Sequence, residues 1–223
     1  MIGYRALFQI SQILCLLMFF GLFFCGTGHS GEGDDLVSKL LQKDVADGPS
    51  ERAALLKYAD DQMVDALIKI VEERRDDWKL QIFAIRLLGE IGNPKATRLL
   101  IKVVTDAFFT NECPALKWNG IIALGNFRDD PMVVDALLYR LNEDTLYLRE
   151  AVIQSLGKIG NREALPYLIR ALEDKHLAIR MSAVNALGSM NDPLAVPLLQ
   201  KVAIKDTDAT VRNEALKVLG LLK

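Results

Sequence analysis

Apolar positions recur along this chain at helical spacing, and the helical stretches themselves recur. Leu156-Gly157-Lys158-Ile159-Gly160-Asn161 and Leu88-Gly89-Glu90-Ile91-Gly92-Asn93 are near copies, and Leu124-Gly125, Leu187-Gly188 and Leu219-Gly220 keep their core. The Leu-Gly glycines stand 36, 32, 31 and 32 residues apart. A fixed period in the low thirties marks stacked supersecondary units. Five residues before each glycine stand Ala84, Gly120, Val152, Ala183 and Ala215; four before stand Ile85, Ile121, Ile153, Val184 and Leu216. A leucine always precedes the glycine, and Ile91, Phe127, Ile159, Met190 and Leu222 follow two residues later. Offsets −5, −4, −1 and +2 fall on one side of an α-helix, which predicts the buried stripe. A glycine costs about 1 kcal/mol in a helix interior; its return in every copy predicts close approach of the next helix rather than flexibility. Gly92 and Gly160 stand where a helix must stop in a left-handed residue.

Each Leu-Gly helix follows another. Glu163 to Leu172 and Leu194 to Val202 are such partners, with earlier copies at Pro131 to Leu141 and Pro94 to Val104. Their prolines lie in or near first turns, where a missing N–H does little harm. Each unit therefore reads as two antiparallel helices. Ser50 to Ala59 and Gln62 to Glu73 read as a helix pair without the Leu-Gly signature, and Asp35 to Lys43 as one more short helix. Degenerate first units are expected at the end of such a stack.

The run Ala164-Leu165-Pro166, then Leu168-Ile169, Ala171-Leu172 and Asp174, then Ile179-Arg180 and Ala183, then Ala186-Leu187-Gly188 resembles HEAT repeats, closest to the short bacterial type named after phycobilisome lyases. The resemblance covers about Gln62 to Lys223. It implies an all-α, right-handed α-solenoid of about five to six units, with a repeat domain over 50–223. The function it implies is a non-catalytic scaffold that presents a concave helical face to a protein partner. The alternative it implies is a lyase-like or chaperone-like subunit of an enzyme complex. Deoxyhypusine hydroxylase resembles these repeats too, but carries iron on His-Glu pairs; here Leu177 follows His176, so that chemistry is not carried over.

Eight residues before each glycine stand Gln81, Lys117, Arg149, Arg180 and Arg212, and five or six residues before the last three basic groups lie Asp144, Asp174 and Asp206. In repeats of this type such residues form a ladder between successive units. The functional alternative is an anion-binding row, but offset −8 faces the buried side, where a charge needs a partner. Offsets −7 and −3 point away from the buried stripe. There the later units carry Glu150 and Gln154, Met181 and Asn185, Asn213 and Lys217. The first two carry Ile82 and Arg86, Trp118 and Ile122, which makes these four the candidate partner-binding residues. Against that stands the spacing of 36, which places extra residues near 107–114 that could fold over Trp118 instead.

Composition narrows the chemistry. The chain is 51% apolar and 25% charged with a formal charge of −2, which fits a globular body and not a nucleic-acid binder. Two histidines and three cysteines give neither a metal cluster nor a disulfide framework, and no cofactor is expected. The first residues change the picture most. Arg5 precedes an unbroken apolar run from Ile13 to Cys25, followed by Gly26-Thr27-Gly28. Residues 1–28 read as a cleaved signal peptide, a retained membrane anchor tethered through residues 1–25, or a lipoprotein leader with Cys25 modified, and 29–49 as a linker with a short capping helix. Each version places the body outside the cytoplasm.

Overall fold

The computed structural model describes residues 49–222, apart from 58, 75–76, 107–108, 110–112, 129 and 142–144. The leader, the linker, the short helix at Asp35 to Lys43 and Asp144 lie outside the described residues. Those that are described all belong to one compact unit, 37–223.

Among the described residues the chain is built of α-helices joined by short turns. A lone helix, α1 (Pro49–Leu56), precedes five pairs: α2 (Asp61–Glu73) with α3 (Trp78–Ile91), α4 (Thr97–Thr105) with α5 (Pro114–Leu124), α6 (Pro131–Arg140) with α7 (Leu146–Ile159), α8 (Leu165–Ala171) with α9 (Leu177–Met190), and α10 (Ala195–Lys205) with α11 (Ala209–Leu221). Second helices pack on second helices in unbroken succession, α3 on α5, α5 on α7, α7 on α9 and α9 on α11. The first helices form the other layer, each against its own second helix. None of the described helices is long and apolar enough to cross a membrane.

Local chemistry sets the boundaries. Asp60, Asp77, Asp130 and Asp208 cap α2, α3, α6 and α11 by accepting a backbone N–H of the first turn. α3 and α7 stop at Gly92 and Gly160, with φ of 68° and 74°. Asn191, φ 51°, does the same for α9, as the residue that best tolerates this region after glycine. The stretch expected as one helix from Glu163 begins as a 3₁₀ turn, Arg162–Ala164. Pro166 has no N–H to give the Arg162 carbonyl, so the first turn closes through tighter bonds.

The Leu-Gly glycines are contact points between units. A Cβ on Gly89 would lie 2.6 Å from Ala123 Cβ, and one on Gly157 2.4 Å from Ala186 Cα. One on Gly125 would meet Ser155 Oγ at 3.1 Å, and one on Gly188 the Val218 Cγ1 at 2.3 Å. In each case the intruding residue stands two before the next glycine, so one rule sets the stacking register of the second helices. Gly157→Ala is therefore expected to lower stability by about 2 kcal/mol: overpacking against a backbone atom costs near the top of its usual range, and helix propensity returns about 1 kcal/mol. Gly220 meets nothing within 4 Å, so Gly220→Ala is expected to raise stability by about 0.5 kcal/mol. Urea unfolding of both variants checks the pair; equal shifts would mean that the glycines do not set the packing.

Candidate protein-interaction face

The second helices turn one side to the first helices, one side to each neighbour and one side outward. The outward side holds the −7 and −3 positions. Trp118 on α5 is 37% exposed and Ile122 is half-buried. Of the residues near 107–114, Phe109 is buried. Gln154, Asn185, Asn213 and Lys217 are exposed, and Glu150 and Met181 are half-buried.

Ile82 departs from the expectation. It is 6% exposed and belongs to the interior. What sets α3 apart from the later second helices is its preceding neighbour: it packs against α2, α5 and the lone α1, and the residues it buries run from Gln81 to Ile85 and from Leu87 to Gly89. Arg86 is half-buried and is held rather than offered: its Nε donates to Asn119 Oδ1 at 2.7 Å, and Asn119 Nδ2 donates to the Ala115 carbonyl at 2.7 Å. Two units on, Ser182 Oγ donates to Glu150 Oε1 at 3.2 Å. On this side α3 is thus tied to α5, and α7 to α9, by side-chain hydrogen bonds.

One row was missed in the sequence. One helical turn before the −7 position, on the same side of each helix, stand Trp78, Leu146 and Leu177, all exposed. Lys79 Nζ lies 5.6 Å from the centre of the Trp78 ring. The exposed apolar strip therefore reaches four units rather than the first two. The i, i+4 relation to Trp118 and its counterparts was the signal that could have found it.

The acidic and basic rows meet between units. Arg149 Nη2 donates to Asp174 Oδ2, and Arg180 holds both Asp206 oxygens, through Nε at 2.9 Å and Nη2 at 3.1 Å. Each aspartate sits in the unit after its arginine. The backbone carbonyls of the same aspartates accept from the arginines of their own units, Asp174 from Arg180 at 3.0 Å and Asp206 from Arg212 at 2.7 Å. Burial raises the Asp174 carboxyl, but the His176 backbone and ring N–H groups and Arg149 outweigh it and hold it at about 2. Burial likewise raises the Asp206 carboxyl, but Arg180 and the Asp208 N–H outweigh it and hold it below the ordinary carboxylate range. A second set of pairs lies at the turns: Lys95 Nζ to Asp61 at 2.9 Å and Arg162 Nε to Asp192 at 2.7 Å. Among the described residues no three His, Cys, Asp or Glu side chains gather at a metal-sized site.

Stacked antiparallel helix pairs, a shared interior and one outward face define the class: a helical-repeat solenoid. A model of HEAT repeats matches residues 64–146 and 134–220, and the chain belongs to that family. The phycocyanobilin lyase subunit alpha of Picosynechococcus sp. PCC 7002 is 35% identical over 98 residues, which is 40% of this chain and 37% of that protein. Its counterpart from Nostoc sp. PCC 7120 is 34% identical over 87 residues, 35% and 32% of the two chains. The chain thus spans about a third of the length of these curated relatives. Among solved structures, the complex of CpcE and CpcF of phycocyanin lyase from Nostoc sp. PCC 7120 matches with a TM-score of 0.55 and 25% identity, over 90% of this chain and 80% of that one. A designed armadillo repeat protein in complex with the peptide (KR)4 shares the fold alone, with a TM-score of 0.50, 15% identity and coverage of 86% and 100%.

Proposed function

We propose that this chain is a non-catalytic HEAT-repeat subunit that acts by holding a protein partner on its second-helix layer. The observation that carries the reading is the exposed apolar strip through Trp78, Trp118, Leu146 and Leu177, on second helices tied α3 to α5 and α7 to α9 by side-chain hydrogen bonds. A clustered apolar patch is a contact surface in wait, and tryptophan is favoured at its energetic centre. The solved relative, itself a complex of two chains, supports a partner of this kind. Affinity purification from the native cell, with mass spectrometry of what accompanies the chain, identifies that partner. Trp118→Ala is then expected to weaken its binding by about 2 kcal/mol or more while the melting temperature holds. A large fall in melting temperature would place Trp118 in the core and remove it from the site.

The identity to phycocyanobilin lyase subunits favours a second reading, a lyase-like or chaperone-like subunit. Its test is direct: the purified chain, with its partner, is mixed with phycocyanin apoprotein and phycocyanobilin, and covalently attached pigment is read on a denaturing gel. No pigmented band above the chain-free control would sink it. Export through residues 1–28 is part of the first reading only. N-terminal sequencing of the native protein is expected to begin at His29; an intact Met1 form in membranes would replace cleavage by anchoring, and an intact soluble form would end the export proposal.

A further inference from the structure

The apolar strip is long and narrow. Trp78 stands on α3, Trp118 on α5, Leu146 and Tyr147 on α7, and Leu177 on α9, so it crosses four second helices packed in succession. Further along the same helices the surface turns polar, with Gln154 and Asn185 exposed. Whole aromatic side chains present roughly 150–250 Å², so the exposed shares of Trp78, Trp118 and Tyr147, 50%, 37% and 44%, amount to roughly 300 Å². Leu146 and Leu177, 36% and 40% exposed, add less than the aromatics do. A stable pair of globular surfaces needs about 800 Å² on each side, laid out as a broad patch. A strip one or two side chains wide falls short of that for a second copy of this chain, and has the shape of a single segment of chain.

Spacing and chemistry select the kind of segment. Packed helices stand about 8–10 Å apart. A polyproline II segment returns to the same face every three residues, about 9.3 Å on. A β-strand returns after about 6.7 Å, and an α-helix after about 5.4 or 10.8 Å, so both fall out of step sooner. Polyproline II also leaves its own carbonyls unpaired. The strip answers that need: among the described residues neither the Trp118 Nε1–H nor the Tyr147 hydroxyl meets an acceptor, and both side chains are exposed. We infer that the strip docks a proline-rich partner segment in the polyproline II form, with an apolar side chain at every third residue. Its side chains and ring faces lie against the tryptophans and leucines, and its carbonyls accept from Trp118 and Tyr147. Such a segment is extended before it binds and loses little entropy on docking. The inference rests on the reading of this strip as the partner-binding face.

The probe is the peptide (Pro-Pro-Leu)4, titrated into the full chain up to millimolar concentration. Trp78 and Trp118 are the two tryptophans of the chain and both lie on the strip, so intrinsic fluorescence reports on it directly. A saturable blue shift is expected. Trp118→Ala, followed through Trp78, is expected to weaken binding about tenfold or more, and Tyr147→Phe about threefold, with the melting temperature unchanged in both. A peptide of the same residues with its leucines in one block is expected to bind at least about tenfold more weakly. Equal binding of that peptide, or tighter binding of an amphipathic α-helical peptide, overturns the polyproline II assignment. No saturable shift with (Pro-Pro-Leu)4 overturns it too. In that case, a native partner that still loses affinity with Trp118→Ala keeps the strip as the binding face, whereas a native partner indifferent to Trp118→Ala removes both.

Discussion

Leu156→Ala is expected to cost about 4 kcal/mol, in the upper part of the range for deleting a buried leucine. Leu156 is fully buried in α7, the second helix of the middle unit, which packs against α5, α6 and α9. Its neighbours cannot close the space easily. The helix behind it ends at Gly160, fixed by the bond from the Gly160 N–H to the Leu156 carbonyl at 3.0 Å, and Gly157 beside it already meets the Ala186 backbone. The same change at Leu219 in unit five is expected to cost less than half as much, since that leucine is only half-buried. Position in the stack adds a second effect. Stability in a repeat protein is a sum of unit and nearest-neighbour terms, so weakening the middle unit uncouples the two ends. Urea unfolding should show a lower midpoint and a shallower slope for Leu156→Ala, and only a lower midpoint for Leu219→Ala. Matching curves for Leu156→Ala and parent would mean that the −1 position does not face the interior.

The contrast between these two leucines also shows what the sequence could carry. Period, helix phase and caps were legible, because offsets −5, −4 and −1 repeat and a glycine after an apolar run has one common use. The stacking role of the Leu-Gly glycine was legible as well, from a cost repeated five times. Ile82 was not. The −7 offset assigns it to the outward side, but α3 has α1, which carries no Leu-Gly mark, as its preceding neighbour, where α5, α7 and α9 each have a second helix. Leu216 fails in the opposite direction. Its offset places it in the stripe, yet burial of that offset depends on a following unit, and this is a property of the stack and not of the residue. The exposed strip through Trp78, Leu146 and Leu177 was hidden because these residues open their helices, where an apolar residue reads equally well as a turn contact.

Asp206→Ala is expected to cost about 3 kcal/mol near neutral pH, at the lower end of the range for breaking a buried ion pair from one side. Asp206 has a 6% exposed side chain and Arg180 a 12% exposed one. Removing the carboxylate strands the Arg180 guanidinium, which keeps only the carbonyls of Asp174 at 3.0 Å and Lys175 at 3.5 Å. It also removes the oxygen that accepts the Asp208 N–H at 2.8 Å and shapes the turn into α11. The loss should depend on pH in a definite sense. Asp174 at about 2 and Asp206 below the ordinary carboxylate range both titrate lower in the folded chain than in the unfolded one, near 3.9. The unfolded chain therefore takes up protons first as pH falls. The stability these groups confer is full above about pH 5 and drains away toward pH 2. Asp206→Ala has already lost one of the two contributions, so the gap between parent and variant should narrow as pH falls from 7 to 3. Urea midpoints at several values across that interval measure it. A gap that stays constant would mean that the Asp206 carboxylate gains nothing from Arg180 in the folded chain.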